Sequence, residues 1–178
     1  LADHAAAYND VLAGNTSYFA ADYMSAEGSY ASAMTNDPAW ALPYNNRGLA
    51  RFHQGNFVEA DADFDVAKSM DTNYVSPYVN KGKSLAAQKR FDDAIAELQA
   101  GLALDTNNAA LYFNLGWVND EQALYAQAIT NFSSALGLNT NYHRARLARG
   151  VAFAKQGAVS NAITDFYDVI NAATNDFL

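Results

Sequence analysis

Asp61, Asp63 and Asp65 alternate along the chain in the way the opening ligands of a calcium loop do. Hard cations take oxygen ligands, and carboxylates two residues apart converge on one ion when a tight turn folds them together. The glycine that would make that turn and the glutamate that would close the ligand set are both missing. The surrounding apolar residues recur at helical spacing, and a helix aims the first two of these aspartates apart. The run, with Glu59, is therefore expected to be an acidic helix face, and no metal site is expected. His4, His53 and His143 lie far apart in sequence and no pair has the spacing of ligands on one helix face. There is no cysteine, no Ser/His/Asp arrangement and no Gly-rich phosphate loop. The residues thus point to no catalytic group and no cofactor, and the chain is expected not to be an enzyme. Asn15-Thr16-Ser17 and Asn131-Phe132-Ser133 match a glycosylation triplet that is frequent by chance, so neither alters this reading.

The elements that carry these residues are read from composition and period. Of 178 residues, 36 are alanine and 18 asparagine, with only three prolines. Alanine loses no side-chain entropy in a helix and lets neighbouring backbones approach closely, so packed helices are expected. Eleven basic against nineteen acidic residues give a net charge of −8, which disfavours nucleic acid and anionic lipid as partners. No apolar stretch is long enough to cross a bilayer, so no direct membrane insertion is expected.

The sequence matches itself best at a step of 34 residues. Gly14, Gly48, Gly82, Gly116 and Gly150 fall in step, followed twelve residues on by Ala26, Ala60, Ala94, Ala128 and Ala162. Four residues later come Tyr30, Phe64, Leu98, Phe132 and Phe166. Five copies without insertion span 7–40, 41–74, 75–108, 109–142 and 143–176, within one domain 1–178. Each copy reads as an antiparallel helix pair; in the second, helix A spans about 41–54 and helix B about 57–70, joined at Gly55-Asn56. Gly48 is expected to face Ala60, with Tyr44 and Phe64 on either side. Gly14-Asn15-Thr16-Ser17 is expected to bend or fray the first helix. Arg47, Lys81 and Arg149 share one slot, where their stems would cover an apolar seam while their charged ends reach water.

Tyr78-x-Asn80-Lys81-Gly82 with Phe91-x-x-Ala94-Ile95-x-x-Leu98, and Tyr112-x-Asn114-Leu115-Gly116 with Tyr125-x-x-Ala128-Ile129-x-x-Phe132, carry a resemblance to the tetratricopeptide repeat (TPR) family over essentially the whole chain. One departure is systematic. The proline usual near the end of the repeat appears only as Pro38, with Thr72, Thr106, Thr140 and Thr174 elsewhere, in polar runs that can end one helix and cap the next.

The resemblance implies an all-α fold, an α-solenoid in which helical hairpins form a right-handed superhelix with the A helices lining a concave groove. It implies a non-catalytic interaction module that holds a peptide or helix of a partner protein there, as a scaffold or assembly factor. The slots expected to face that groove include Asn45, Leu49, Phe52 and His53 in the second copy, Val79, Asn80 and Lys83 in the third, Phe113, Asn114 and Trp117 in the fourth, and Arg144, Leu147, Val151 and Lys155 in the fifth. Phe113 and Trp117 are the expected apolar anchors; the alternative is that they pack against the next A helix. Lys83, Arg144 and Lys155 would favour a protein or peptide partner with apolar and acidic residues. Asn46, Asn80 and Asn114 either hydrogen-bond a ligand backbone or hold the A helices together. Lys83, Asn114 and Arg144 match three positions of the family's carboxylate clamp, but Val79 and Ala148 replace two of its cations, which argues against a complete clamp.

Two other functions stand beside this one. The repeats could self-associate as a spacer through exposed terminal faces, giving a homo-oligomer, or they could be the accessory domain of a longer enzyme. Val169, Ile170, Phe177 and Leu178 are expected to be exposed, which fits either a chain trimmed from a longer one or a face packed on another subunit. Few lysines, abundant Asn and Thr and a first residue other than Met lean toward an exported mature protein over a cytoplasmic one.

Overall fold

The computed structural model describes the backbone of residues 2–175 and the side chains of residues 2–172. Ten helices follow one another among the described residues: α1 (His4–Phe19), α2 (Tyr23–Asn36), α3 (Ala41–His53), α4 (Phe57–Met70), α5 (Ser76–Ala87), α6 (Phe91–Leu104), α7 (Ala109–Glu121), α8 (Tyr125–Leu138), α9 (His143–Gln156) and α10 (Val159–Asn175). The expected all-α fold is present, and α3 and α4 fall where the second copy placed them. Phe177 and Leu178 lie outside the described residues; Ile170 is exposed as expected and Val169 is half-buried.

Local chemistry explains where the helices stop and start. Asp37, Asp71, Asp105 and Asn139, spaced by 34, each accept with Oδ1 from the backbone N–H two residues on, at 3.0–3.3 Å. These side chains replace a backbone turn and end α2, α4, α6 and α8. The polar runs do less as caps for the following helix. Asn108 caps α7 by accepting from Ala110 and Leu111, whereas Trp40, Val75 and Tyr142 precede α3, α5 and α9 with no side-chain cap bond. Within each pair, the residue that turns the chain has a left-handed backbone: Ala21 (φ 60°), Gly55 (82°), Lys89 (61°), Ala123 (59°) and Gly157 (88°). These five also stand 34 apart.

Contacts group the chain into two compact units, Leu1–Glu97 and Leu98–Leu178, with the division inside α6. In the first unit α1 packs on α2, α2 on α3, α3 on α4, and α5 on both α3 and α4. Its core gathers Ala7, Val11, Ala26, Tyr30, Ala33 and Ala50, with Tyr18, Tyr23, Trp40 and Leu42 against it. In the second unit α7, α8, α9 and α10 pack in succession. Ala128, Phe132 and Ala152 form one cluster there and Ala135, Leu136 and Ala145 another.

The close approach of paired helices differs from the expectation. A Cβ built on Gly48 would lie 2.6 Å from the Phe64 ring, and one on Gly116 would lie 2.6 Å from Phe132. Gly14 meets Tyr30 and Gly150 meets Phe166 in the same way. The glycine is therefore the seat of the ring sixteen residues on, rather than the partner of the alanine twelve residues on. A ring laid flat on a backbone needs the missing methyl more than a second small residue does. The expected break in α1 is absent: the helix runs unbroken through Gly14-Asn15-Thr16-Ser17, and Thr16 Oγ1 donates to the Leu12 carbonyl at 2.9 Å.

Candidate functional site

The expected inward slots fall in both units, and each unit carries its own share. In the first, an amide relay joins the A helices. Asn80 Nδ2 donates to Asn45 Oδ1 (2.9 Å), Asn45 Nδ2 to Asn46 Oδ1 (3.1 Å), and Asn46 Nδ2 to Asn15 Oδ1 (3.3 Å), which also accepts the Tyr30 hydroxyl (2.8 Å). Of the two roles open to these asparagines, holding α5, α3 and α1 together is the one seen here. Asn45 is buried within the relay. Burial also pushes the Tyr30 phenol up to about 12, reinforced by Tyr18 nearby.

Beside the relay lies a recess of about 140 Å³ lined by Asn15, Tyr18, Phe19, Tyr30, Asn46 and Leu49. Its floor is apolar and the Asn15 and Asn46 amides lie at its edge, the mixture that fixes a ligand's orientation. Phe19 is 86% exposed. The adjoining surface is aromatic: His53 stacks on Tyr23 at 4.8 Å between ring centroids and meets Tyr18 at 5.5 Å and Phe52 at 5.2 Å. Lys83 Nζ stands 5.6 Å over the Phe52 ring. Partial burial, and then the Lys83 ammonium, push the His53 imidazole below the ordinary histidine range. Val79 and Asn80 are half-buried.

In the second unit the expected anchors are drawn inward. Phe113 lies 5.7 Å from the Phe132 ring and 5.1 Å from Tyr142, with the Arg144 guanidinium 5.5 Å over it. Trp117 is half-buried against the cluster of Ala128, Phe132 and Ala152, and Ala152 belongs to the next A helix, α9. Asn114 is buried and donates to the Ala110 carbonyl of its own helix at 2.7 Å. The apolar surface left to solvent is on α9, where Leu147 is 48% and Val151 38% exposed, one turn apart. Lys155 is tied to Asp120 at 2.6 Å, which holds its ammonium above the usual range. Arg144 is exposed.

The charged ends in the Arg47 slot do not reach open water. Arg47 donates to both oxygens of buried Asp63, from Nε at 2.9 Å and Nη2 at 2.6 Å, and Arg51 adds a third bond at 3.0 Å. Arg149 grips Asp165 in the same forked manner, and Lys81 bonds Asp65 at 2.7 Å. The acidic run on α4 is thus partly a set of internal ion-pair partners. Leu115, in the same slot, is buried. A larger recess of about 570 Å³ is lined by residues of α4, α5 and the start of α6. Its charges pair among themselves, Lys81 with Asp65 and Arg90 with Asp93, while Gln88 bonds Asp61. Among the described residues no group of three or more His, Cys, Asp or Glu is placed to hold a metal ion, and no described helix is long and apolar enough to cross a membrane.

Asn15, Tyr18 and Phe19 were missed in the sequence. The signal was there: the inward-slot rule moved back one repeat gives Tyr8, Val11, Asn15, Tyr18 and Phe19.

A profile described as TPR repeat matches residues 71–122, and one described as tetratricopeptide repeat matches residues 120–176. The chain belongs to the tetratricopeptide repeat family. Solved tetratricopeptide structures share its fold. A thermophilic TPR protein of Thermus thermophilus superposes with a TM-score of 0.85 at 16% identity, covering 97% of this chain and 94% of that one. MamA from Desulfovibrio magneticus RS-1 gives 0.75 at 18% identity, covering 95% and 96%. The first TPR of Spaghetti, bound to the HSP90 peptide SRMEEVD, gives 0.63 at 24% identity, covering 68% and 97%. Curated protein sequences contain no match. The fold places this tetratricopeptide chain in the α-solenoid class. Tetratricopeptide repeats are in general non-catalytic protein-interaction modules, and this chain carries the scaffold of one.

Proposed function

We propose that the chain holds a peptide or helix of a partner protein on the inward face of its A helices, as a scaffold or assembly factor. The recess between α1 and α3 carries this reading. Its volume suits one aliphatic side chain, its rim has two amides able to hydrogen-bond a backbone, and Lys83 stands over Phe52 on the neighbouring surface. On the second unit Leu147 and Val151 with Arg144 offer a similar mixture. Phe113 and Trp117 contribute only their exposed edges. The preferred ligand is an apolar residue flanked by acids. The five copies with the boundaries given above remain our reading of the organisation, supported by turn residues that recur every 34 positions.

Selection of random peptides displayed on phage tests this. Selected peptides should share an aliphatic residue next to Asp or Glu, and Leu49→Asp should weaken them at least tenfold while circular dichroism and melting stay unchanged. Peptides that bind Leu49→Asp and Leu147→Asp as well as the parent would place the binding surface elsewhere.

A further inference from the structure

The exposed apolar side chains of α10 form a single stripe. Val159, Ile163, Tyr167 and Ile170 follow at intervals of four, four and three residues, and each is between 50% and 63% exposed. That spacing points all four in one direction on a helix. No charge interrupts the stripe: Asp165 is gripped by Arg149, and Asp168 lies 4.0 Å from Arg146.

What such a stripe packs against is seen one repeat earlier. Ile129 and Leu136 of α8, 34 residues before Ile163 and Ile170, pack in the clusters that contain Ala152 and Ala145 of α9. So α10 presents again the surface that α8 buries on α9. The receiving surface on α9 consists of Ala145, Ala148 and Ala152. Four repeats earlier those slots hold Asn9, Leu12 and Thr16 of α1, all exposed and uncharged, with Tyr8 half-exposed beside them.

We propose that α10 of one molecule docks on α1 of a second copy of this chain, repeating between molecules the contact that α8 makes with α9. Two features select a second copy as occupant. The interface is a continuation of one the chain already contains, and both faces lack the charged groups with which terminal repeats ordinarily resist stacking. Because the two faces differ, the association is heterologous and extends head to tail instead of closing as a symmetric dimer.

Sedimentation velocity of the full chain from about 1 μM to about 1 mM, a range in which weak interfaces show themselves, tests this directly. The parent should give species that grow with concentration. Ile163→Asp and Leu12→Asp should each be monomeric, since a carboxylate in an apolar seam is costly to bury. Mixed in equal amounts, the two variants should form a 1:1 complex that grows no further, because one intact α10 face meets one intact α1 face. A parent that stays monomeric throughout overturns the proposal. So does self-association that survives Leu12→Asp but not Ile163→Asp, which would mean α10 pairs with itself. Leu49→Asp, in the recess of the peptide reading, should leave association unchanged. If Ile163→Asp fails to fold by circular dichroism, Tyr167→Lys replaces it with the same expected outcomes.

Discussion

Arg47 and Asp63, sixteen residues apart in sequence, close one helical hairpin with a forked pair of hydrogen bonds at 2.6 and 2.9 Å, and Asp63 is buried. A buried pair of this kind gains little over a well-packed apolar substitute, but breaking it leaves an uncompensated charge. The asymmetry makes it a measurable hinge of stability. Asp63→Ala should cost about 3–5 kcal/mol in urea unfolding, because it strands both Arg47 and Arg51. Arg47→Leu, which copies Leu115 in the same slot and leaves Asp63 its bond to Arg51, should change stability by less than about 1 kcal/mol.

Glycines on the helices should divide by what lies above them. Gly116→Ala drives a methyl to within 2.6 Å of the buried Phe132 ring, and overpacking of this kind costs about 1–3 kcal/mol. At Gly28 and Gly137 a Cβ meets nothing within 4 Å, so alanine there should stabilise by about 0.5–1 kcal/mol through helix propensity alone. Thermal unfolding of the three variants checks the sign of each. Equal behaviour at all three positions would contradict the ring-seat geometry.

Ala21, Lys89 and Ala123 hold a left-handed backbone that costs a residue with a side chain about 1–2 kcal/mol. Each mutated to glycine should gain about 0.5–1 kcal/mol after the extra flexibility of the unfolded chain is subtracted. The triple variant should melt several degrees higher, at roughly 2–4 °C per kcal/mol for a chain of this size. Gly55→Ala should lower stability by a similar amount.

Tyr30 supplies a pH test. Its phenol ionises at about 12 in the folded chain against 10.0 ordinarily, raised by burial and then by Tyr18. Between those values the unfolded state holds fewer protons than the folded one, so stability is fully present below pH 10 and is lost as pH rises toward 12. Tyr30→Phe should flatten that slope. Absorbance of the phenolate should show one tyrosine fewer titrating near pH 12.

The helices and the hairpin turns were legible because both depend on short-range spacing: glycine under a ring, Asp or Asn at each stop. The ion pairs were not read, although Arg47 and Asp63, and Arg149 and Asp165, keep the same sixteen-residue offset that links Gly48 to Phe64. A basic residue in a leucine slot reads as a stem with a wet tip until its partner on the facing helix is known. Phe113 and Trp117 were harder. Whether a half-buried ring leans into the groove or into the next helix turns on side-chain tilt, which spacing alone does not encode. The recess beside Leu49 needed α1, α2 and α3 together, and its aromatic wall comes from the copy whose sequence departs most from the others.

The left-handed turn recurs every 34 residues on Ala, Gly, Lys, Ala and Gly in order. Its shape is therefore dictated by position and not by the residue that occupies it. A duplicated or excised stretch of that length, begun at any point, rejoins every glycine to a ring and every stop signal to its helix. For this chain, length is an inheritable dial: recombination can lengthen or shorten the array in whole copies without inventing a single new contact.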